Sequence, residues 1–347
     1  MKRLFFVFFL FPIFISLGAS SLCGFKFFSG SANQQLAKDV ADHLGISLSQ
    51  AKVSRYNDGE INIQIEENIR NCDVYILQSS CPTSYASVND SLMELYLLVR
   101  AMKRASVQSI TAIIPYFGYA RQDRKVKSRV PISASDVAML LELAGIDHVI
   151  CVDLHCGQIQ GFFHTTPVDN LFSSRIFVPY FSAKPDLQNI VVVSPDAGGV
   201  ERSKQFAQML NSCGVSTRLA MIVKERKEAG VVEKMDLVGN VQNSDVIIVD
   251  DLCDTGGTLA AAAYELKQKG AKRVFACITH PVFSGNAMAK IANSVIDELV
   301  ITDTIPLRHT PPSNITQLSV ASLLAEAIIR SYNGQSVSDL FDCGKSP

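Results

Sequence analysis

The segment VIIVDDLCDTGGT, residues 246–258, constrains this chain more than any other. It opens with a short apolar run, the pattern of a strand buried on both faces. Two adjacent carboxylates, Asp250 and Asp251, follow, and then a turn of small and polar residues, Asp254, Thr255, Gly256, Gly257 and Thr258. The alanine-rich stretch 259–269 predicts the helix that leaves the turn. A buried strand, a glycine turn and a helix start bring free backbone N–H groups and the positive end of a helix dipole to one point, which makes an anion site. Carboxylates beside such a site are costly without a hydroxyl or cation partner. The anion therefore carries hydroxyls or magnesium, and a phosphorylated sugar fits both halves.

Five further segments have the same flavour. In DLHCGQIQGFF, residues 153–163, Asp153 and His155 alternate on one face after a strand-like run. His155 reads either as a ligand for a metal or phosphate or as a merely hydrogen-bonded ring. In SPDAGGVERSKQFA, residues 194–207, a strand ends, Asp196 follows, and Gly198 and Gly199 lead into a helix. Ligands of parallel sheets sit at the carboxyl ends of strands, so these loops converge if the sheets are parallel. RQDRKVKSR, residues 121–129, holds five basic residues in nine. Without interleaved aromatics it suits polyphosphate, which the planar arginine fork grips bidentately, better than nucleic acid. KERKEAG, residues 224–230, reads either as a solvated hairpin or as a mobile loop whose Lys224 and Arg226 close over a transferring phosphoryl group. In SRYNDGEINIQI, residues 54–65, alternating Ile61, Ile63 and Ile65 predict a half-buried strand, and residues 56–60 the turn before it.

Strand-like runs alternate with helical spacings from residue 25 onward, predicting parallel sheets covered by helices. A chain of 347 residues, 48% hydrophobic, is enough for two such domains. The expected layout is a first domain over 25–167, a second over 168–320, and a helix beginning at Ala321 that packs back on the first domain, with a tail to 347. A capping box is expected at Ser91 and Glu94, opening a helix whose Leu92, Leu95, Tyr96 and Val99 share a face. A net charge of −1 gives no global field that would favour nucleic acid. Nine cysteines, with no CxxC pair and no zinc spacing, predict buried thiols in a reducing compartment such as the cytoplasm. Residues 1–24 run against that. Lys2 and Arg3 precede an apolar run to residue 17 and then small residues. This reads as an organelle-targeting or secretory segment, as a membrane anchor if retained, or as a start placed too far upstream.

Taken together, DLHCGQIQGFF, SPDAGG, YARQDRK and VDDLCDTGGT resemble the ribose-phosphate diphosphokinases of the common phosphate-activated, magnesium-dependent class, in matching order from about residue 25 to 341. The resemblance implies two tandem phosphoribosyltransferase-like α/β domains and transfer of the diphosphoryl group of ATP to the anomeric hydroxyl of ribose 5-phosphate. It implies that Asp254, Thr255, Gly256, Gly257 and Thr258 hold the 5-phosphate and that Asp250 meets the ribose hydroxyls, directly or through Mg²⁺. His155 and Asp196 match magnesium positions. Arg121 and Gln122 match an ATP-binding loop, and Tyr56, Asp58, Gly59 and Glu60 an ATP-contacting turn supplied by a neighbouring subunit. Lys224 and Arg226 match the catalytic loop, Arg226 also reaching ribose 5-phosphate. A homo-oligomer, hexameric in many members, with shared active sites is implied as well. The sequence departs from the common pattern at Tyr56, where phenylalanine is frequent, and at His164, which stands for an aspartate. A phosphoribosyltransferase would need only one such domain, and a silent regulatory partner would not need Lys224, Arg226, His155, Asp196 and Asp250 together.

Overall fold

The computed structural model describes residues 24–225 and 234–340. The first half runs β1 (Phe25–Ser29), α1 (Gln34–Leu44), β2 (Ala51–Arg55), β3 (Ile61–Ile65), β4 (Asp73–Leu77), α2 (Val88–Arg104), β5 (Ser109–Ile114), α3 (Ser133–Ala144), β6 (His148–Val152) and β7 (Val168–Leu171). Five of these strands form a sheet in the order β1-β4-β5-β6-β7, parallel throughout. Then come α4 (Ser174–Ser182), β8 (Val191–Ser194), α5 (Val200–Ser212), β9 (Arg218–Glu225), β10 (Lys234–Val238), β11 (Asp245–Cys253), α6 (Gly257–Gln268), β12 (Arg273–Pro281), α7 (Ala287–Ala292), β13 (Glu298–Thr302), β14 (Ile315–Leu318) and α8 (Ala321–Tyr332). The second sheet has the order β10-β9-β8-β11-β12-β13-β14, and only the edge strand β10 is antiparallel to its neighbour. Both halves are α/β units built on largely parallel sheets, as the alternation of strands and helices predicts.

Period-two alternation explains how each sheet is covered on both faces. In β11, Val246 and Ile248 pack with Leu259, Ala262 and Leu266 of α6. Their neighbours Ile247 and Val249 pack with Phe177 and Phe181 of α4 and Phe206 of α5. In the first sheet, Val74 and Ile76 meet Leu95 and Leu98 of α2. Tyr75 and Leu77 meet Val40 of α1 together with Leu324 and Ile328 of α8. Helix α8 therefore lies on the first sheet although it follows the last strand of the second. The first sheet also runs past residue 167, because Val168–Leu171 pairs with β6. Four residues, VDNL, are too short a run to announce a strand by periodicity.

The capping box falls one turn earlier than Ser91 and Glu94. Ser87 is the N-cap of α2: its hydroxyl accepts from Asp90 N at 3.2 Å, and Asp90 Oδ2 accepts from Ser87 N at 2.7 Å. Ser91 and Glu94 face inward instead. The Ser91 hydroxyl donates to Cys81 O at 2.8 Å, and the Glu94 carboxylate accepts from Ser31 Oγ at 2.6 Å and Gln78 Nε2 at 2.9 Å. Both residues are buried, so helix burial rather than helix capping selects them. Ser87→Ala is expected to cost about 1 kcal/mol of stability, read as a lower denaturant midpoint with an unchanged slope.

Among the described residues the seven cysteines are free thiols, four of them buried. No helix among the described residues is long and apolar enough to cross a membrane. The apolar segment expected to carry targeting or anchoring lies outside the described residues up to residue 23.

Candidate active site

Because β8, β9 and β11 are parallel, their carboxyl ends share one edge of the second sheet. That edge carries Asp196 just after β8, Lys224 near the end of β9, and Asp250 and Asp251 in β11. The strand does not stop at the carboxylate pair. It runs on to Cys253, pairing Leu252 with His280 and Cys253 with Pro281. The edge of the first sheet contributes Arg121, on the loop after β5, and His155, just beyond β6.

The two edges meet at Asp251, whose side chain is 4% exposed. Its Oδ2 lies 2.7 Å from His155 Nδ1, and its Oδ1 accepts from Arg202 Nη1 at 3.3 Å. Arg202, in the first turn of α5, also lies 3.6 Å from Asp250 and donates to His155 O at 3.4 Å. Burial opposes the charge on Arg202, but Asp251, Asp153, Asp250 and Asp196 surround it and hold it firmly protonated. The two adjacent aspartates diverge. Burial, then the neighbouring Asp251 charge, pushes the Asp250 carboxyl well above its ordinary range. Burial would do the same to Asp251, but the His155 hydrogen bond and Arg202 override it and keep it ionised. The bond to Asp251 in turn raises the His155 imidazole, partly offset by burial. A carboxylate on Nδ1 orients the ring and leaves Nε2 outward, the arrangement of a histidine offered to a cation or phosphate.

The glycine turn is built for close approach. Gly256 is the N-cap of α6 with φ +72°, a left-handed conformation open to glycine at little cost. A Cβ there would stand 3.3 Å from Ala287 O. Ser284 N donates to Asp254 O at 3.0 Å and fastens the turn to the segment after β12. Thr255 and Thr258 are exposed at its rim, and Gly257 opens α6. Across the domain junction Arg121 Nη1 lies 2.6 Å from Asp254 Oδ2. Asp196 shapes its own loop: its Oδ1 accepts from Gly198 N at 2.9 Å and Gly199 N at 3.1 Å.

Other expected site residues stand apart from the Asp251 cluster. Gln122 Oε1 accepts from Ser133 Oγ, bracing the start of α3. Tyr56, Asp58, Gly59 and Glu60 form the exposed turn between β2 and β3, with Tyr56 57% exposed. Its hydrogen bonds are local, such as Glu60 N to Asp58 Oδ1 at 3.0 Å. Lys224 pairs through its backbone with Met235 of β10, and Arg226 lies outside the described residues. Arg202 was not singled out from sequence. A positive charge in the first turn of a helix opposes the helix dipole, and that conflict is the one local signal that marks it. Among the described residues no group of three or more His, Cys, Asp or Glu side chains is arranged to hold a metal by itself.

Residues 25–145 match the N-terminal domain of ribose phosphate pyrophosphokinase, and residues 214–342 match the phosphoribosyl synthetase-associated domain. The ribose-phosphate pyrophosphokinase of Campylobacter jejuni is 51% identical over 318 residues, which are 92% of this chain and 99% of that relative. Its counterpart in Haemophilus influenzae is 51% identical over 320 residues, 91% of this chain and 99% of the relative. The crystal structure of phosphoribosylpyrophosphate synthetase from Mycobacterium smegmatis superposes with a TM-score of 0.82 at 37% identity, covering 90% of this chain and 99% of that one. With half of all residues shared along the full length of such relatives, the chain belongs to the ribose-phosphate pyrophosphokinase family.

Proposed function

We propose that the two facing sheet edges divide the substrates between them, ribose 5-phosphate on the second domain and ATP on the first. The reaction is transfer of the β,γ-diphosphoryl group of ATP to the anomeric hydroxyl of ribose 5-phosphate, giving 5-phosphoribosyl 1-diphosphate and AMP. One observation carries the division of labour: the anion-binding turn and the basic loop touch directly, through Arg121 and Asp254 at 2.6 Å. Two phosphate-bearing substrates held by these loops have their reactive ends at the domain junction.

In this scheme the backbone N–H groups at residues 255–258 and the hydroxyls of Thr255 and Thr258 take the 5-phosphate, and Asp250 orients the ribose hydroxyls. Arg121 and Gln122 hold the triphosphate. Phosphoryl transfer asks for alignment and charge neutralisation more than covalent help. Lys224 and Arg226 supply positive charge to the phosphoryl oxygens from the end of β9. His155 and Asp196 are the residues that would hold Mg²⁺, which when bound shields the phosphate charges from the approaching hydroxyl. Their chemistry fits: Mg²⁺ is ordinarily held by one or two carboxylates plus substrate phosphates and water, not by a closed protein cage. His155, fixed through Nδ1 by Asp251, would add its Nε2 as a nitrogen donor beside that carboxylate.

The exposed Tyr56, Asp58, Gly59 and Glu60 turn supports a shared site in a homo-oligomer, where it would meet the nucleotide of a neighbouring copy. An aromatic ring such as Tyr56 stacks on adenine as readily as phenylalanine does. The test of the function is direct. The full chain, with ATP, Mg²⁺, phosphate and ribose 5-phosphate, should form AMP and phosphoribosyl diphosphate in equal amounts. A folded protein that forms neither would exclude it.

A further inference from the structure

His280 lies on β12, in register with Leu252 of β11, and is 3% exposed. Its Nε2 lies 3.1 Å from Asp153 O, and its Nδ1 lies 2.9 Å from Thr304 Oγ1. A carbonyl only accepts, so Nε2 carries the hydrogen. Burial favours the neutral ring, which leaves Nδ1 as an acceptor beside the Thr304 hydroxyl, itself also 2.9 Å from Thr279 O. The ring also packs on Tyr116 of the first domain, with centroids 5.0 Å apart.

Asp153 is an unusual residue to find at the other end of that bond. It is 4% exposed and adopts φ +40°, a backbone conformation that side-chain-bearing residues avoid unless their surroundings impose it. The surroundings do so from four directions. Asp153 N donates to Leu171 O at 2.8 Å. Its carboxylate Oδ2 accepts from Thr279 Oγ1 at 2.6 Å and from both the hydroxyl and the backbone N–H of Ser173. Its carbonyl accepts from His280, and the next N–H, of Leu154, donates to Asn170 Oδ1 at 2.9 Å. Thr279 and His280 belong to the second sheet, whereas Asp153 directly follows β6 of the first. The following residue but one is His155, whose ring meets Asp251.

We infer that His280 is a positioning residue for His155: by holding the Asp153 carbonyl it fixes the left-handed turn that carries the His155 ring across the domain junction to Asp251. The inference rests on the role given to His155 above. It also makes β12 a functional element, since adjacent residues Thr279 and His280 clamp the side chain and the backbone of one aspartate.

His280→Asn and His280→Gln separate positioning from packing. Asparagine reaches only as far as Nδ1 and keeps a polar partner for Thr304, so it severs the bond to Asp153. Glutamine carries an amide N–H about as far out as Nε2 and restores it. Supporting groups of this kind are worth about 10- to 100-fold, so His280→Asn should lower kcat by about that factor, with His280→Gln within about threefold of the parent. The cycle is closed with His155→Ala. In that background His280→Asn should cost less than about twofold, because interacting residues are not additive whereas independent ones are. Thermal melts of all four variants check that the loss in turnover is not a loss of folded protein. Equal turnover of the Asn and Gln variants, or the same His280→Asn factor in both backgrounds, overturns the inference. A silent His155→Ala overturns the role given to His155, and the inference with it.

Discussion

Lys224→Ala is expected to lower kcat by about a thousandfold, as loss of a preorganised group aimed at transition-state charge does, while the KM for ribose 5-phosphate stays within about threefold. The reason is positional. Strand β9 runs parallel to β8 and leaves the second sheet at the edge that also carries Asp196 and the Asp250–Thr258 turn. Lys224 is the penultimate residue of β9, so its backbone stands at the same sheet edge as the acceptor loops. In the proposed scheme Lys224 acts on the phosphoryl group in transit and not on the bound sugar, so uniform binding should not change. Arg226→Ala should differ in kind. Because Arg226 is also assigned to ribose 5-phosphate, its removal should raise that KM as well as lower kcat. Steady-state kinetics of the two variants distinguish the roles. A Lys224→Ala enzyme with unchanged turnover would remove Lys224 from the chemistry.

Asp250→Asn should separate stability from activity. Turnover is expected to fall by about 100-fold or more, because the amide no longer offers charge to a cation or full acceptor capacity to the ribose hydroxyls. The substrate-free protein should nevertheless be no less stable at neutral pH. Asp250 is desolvated and faces the adjacent Asp251 charge, and these outweigh Arg202, which lies 3.6 Å away. The sign follows from linkage. A carboxyl whose folded pKa is raised subtracts from stability as pH rises above its unfolded value of about 3.9, and stops doing so below it. The melting temperature of Asp250→Asn should therefore match or exceed that of the parent at pH 7, with the advantage shrinking toward pH 4. Calorimetry of both proteins at the two pH values checks it. A large destabilisation at pH 7 would mean that Asp250 is paired more strongly than its neighbours indicate.

Much of the second domain could be read directly because its signals are local. The run VIIV, the carboxylate pair and the glycine turn lie within thirteen residues, and each obeys a short-range rule. Length is what periodicity could not give: the strand continues through Asp250 and Asp251 to Cys253, because pairing with β12 holds it extended. Strands of four residues, β7 and β14, left no period to detect. Ser87-x-x-Asp90 and Ser91-x-x-Glu94 are alike as capping boxes in sequence, and only burial of the latter pair tells them apart. The site itself divides along the same line. His155 and Asp196 stand out beside their own strands. Arg202 acts on a partner 49 residues away within the second domain, and His280 on one 127 residues away across the two sheets, contacts that exist only in the folded chain. The Tyr56–Glu60 turn carries no chemical signal of its own, and its assignment came from family resemblance alone.

The central claim is that a two-phosphate unit moves intact from ATP to a sugar hydroxyl held by the Asp250–Thr258 loop. ATP labelled at the β-phosphorus, incubated with the protein, Mg²⁺ and ribose 5-phosphate, tests it most directly. All label should move to phosphoribosyl diphosphate, with one unlabelled AMP released per labelled product and none released when ribose 5-phosphate is withheld. Formation of labelled ADP, or of AMP at the same rate without the sugar, would contradict it.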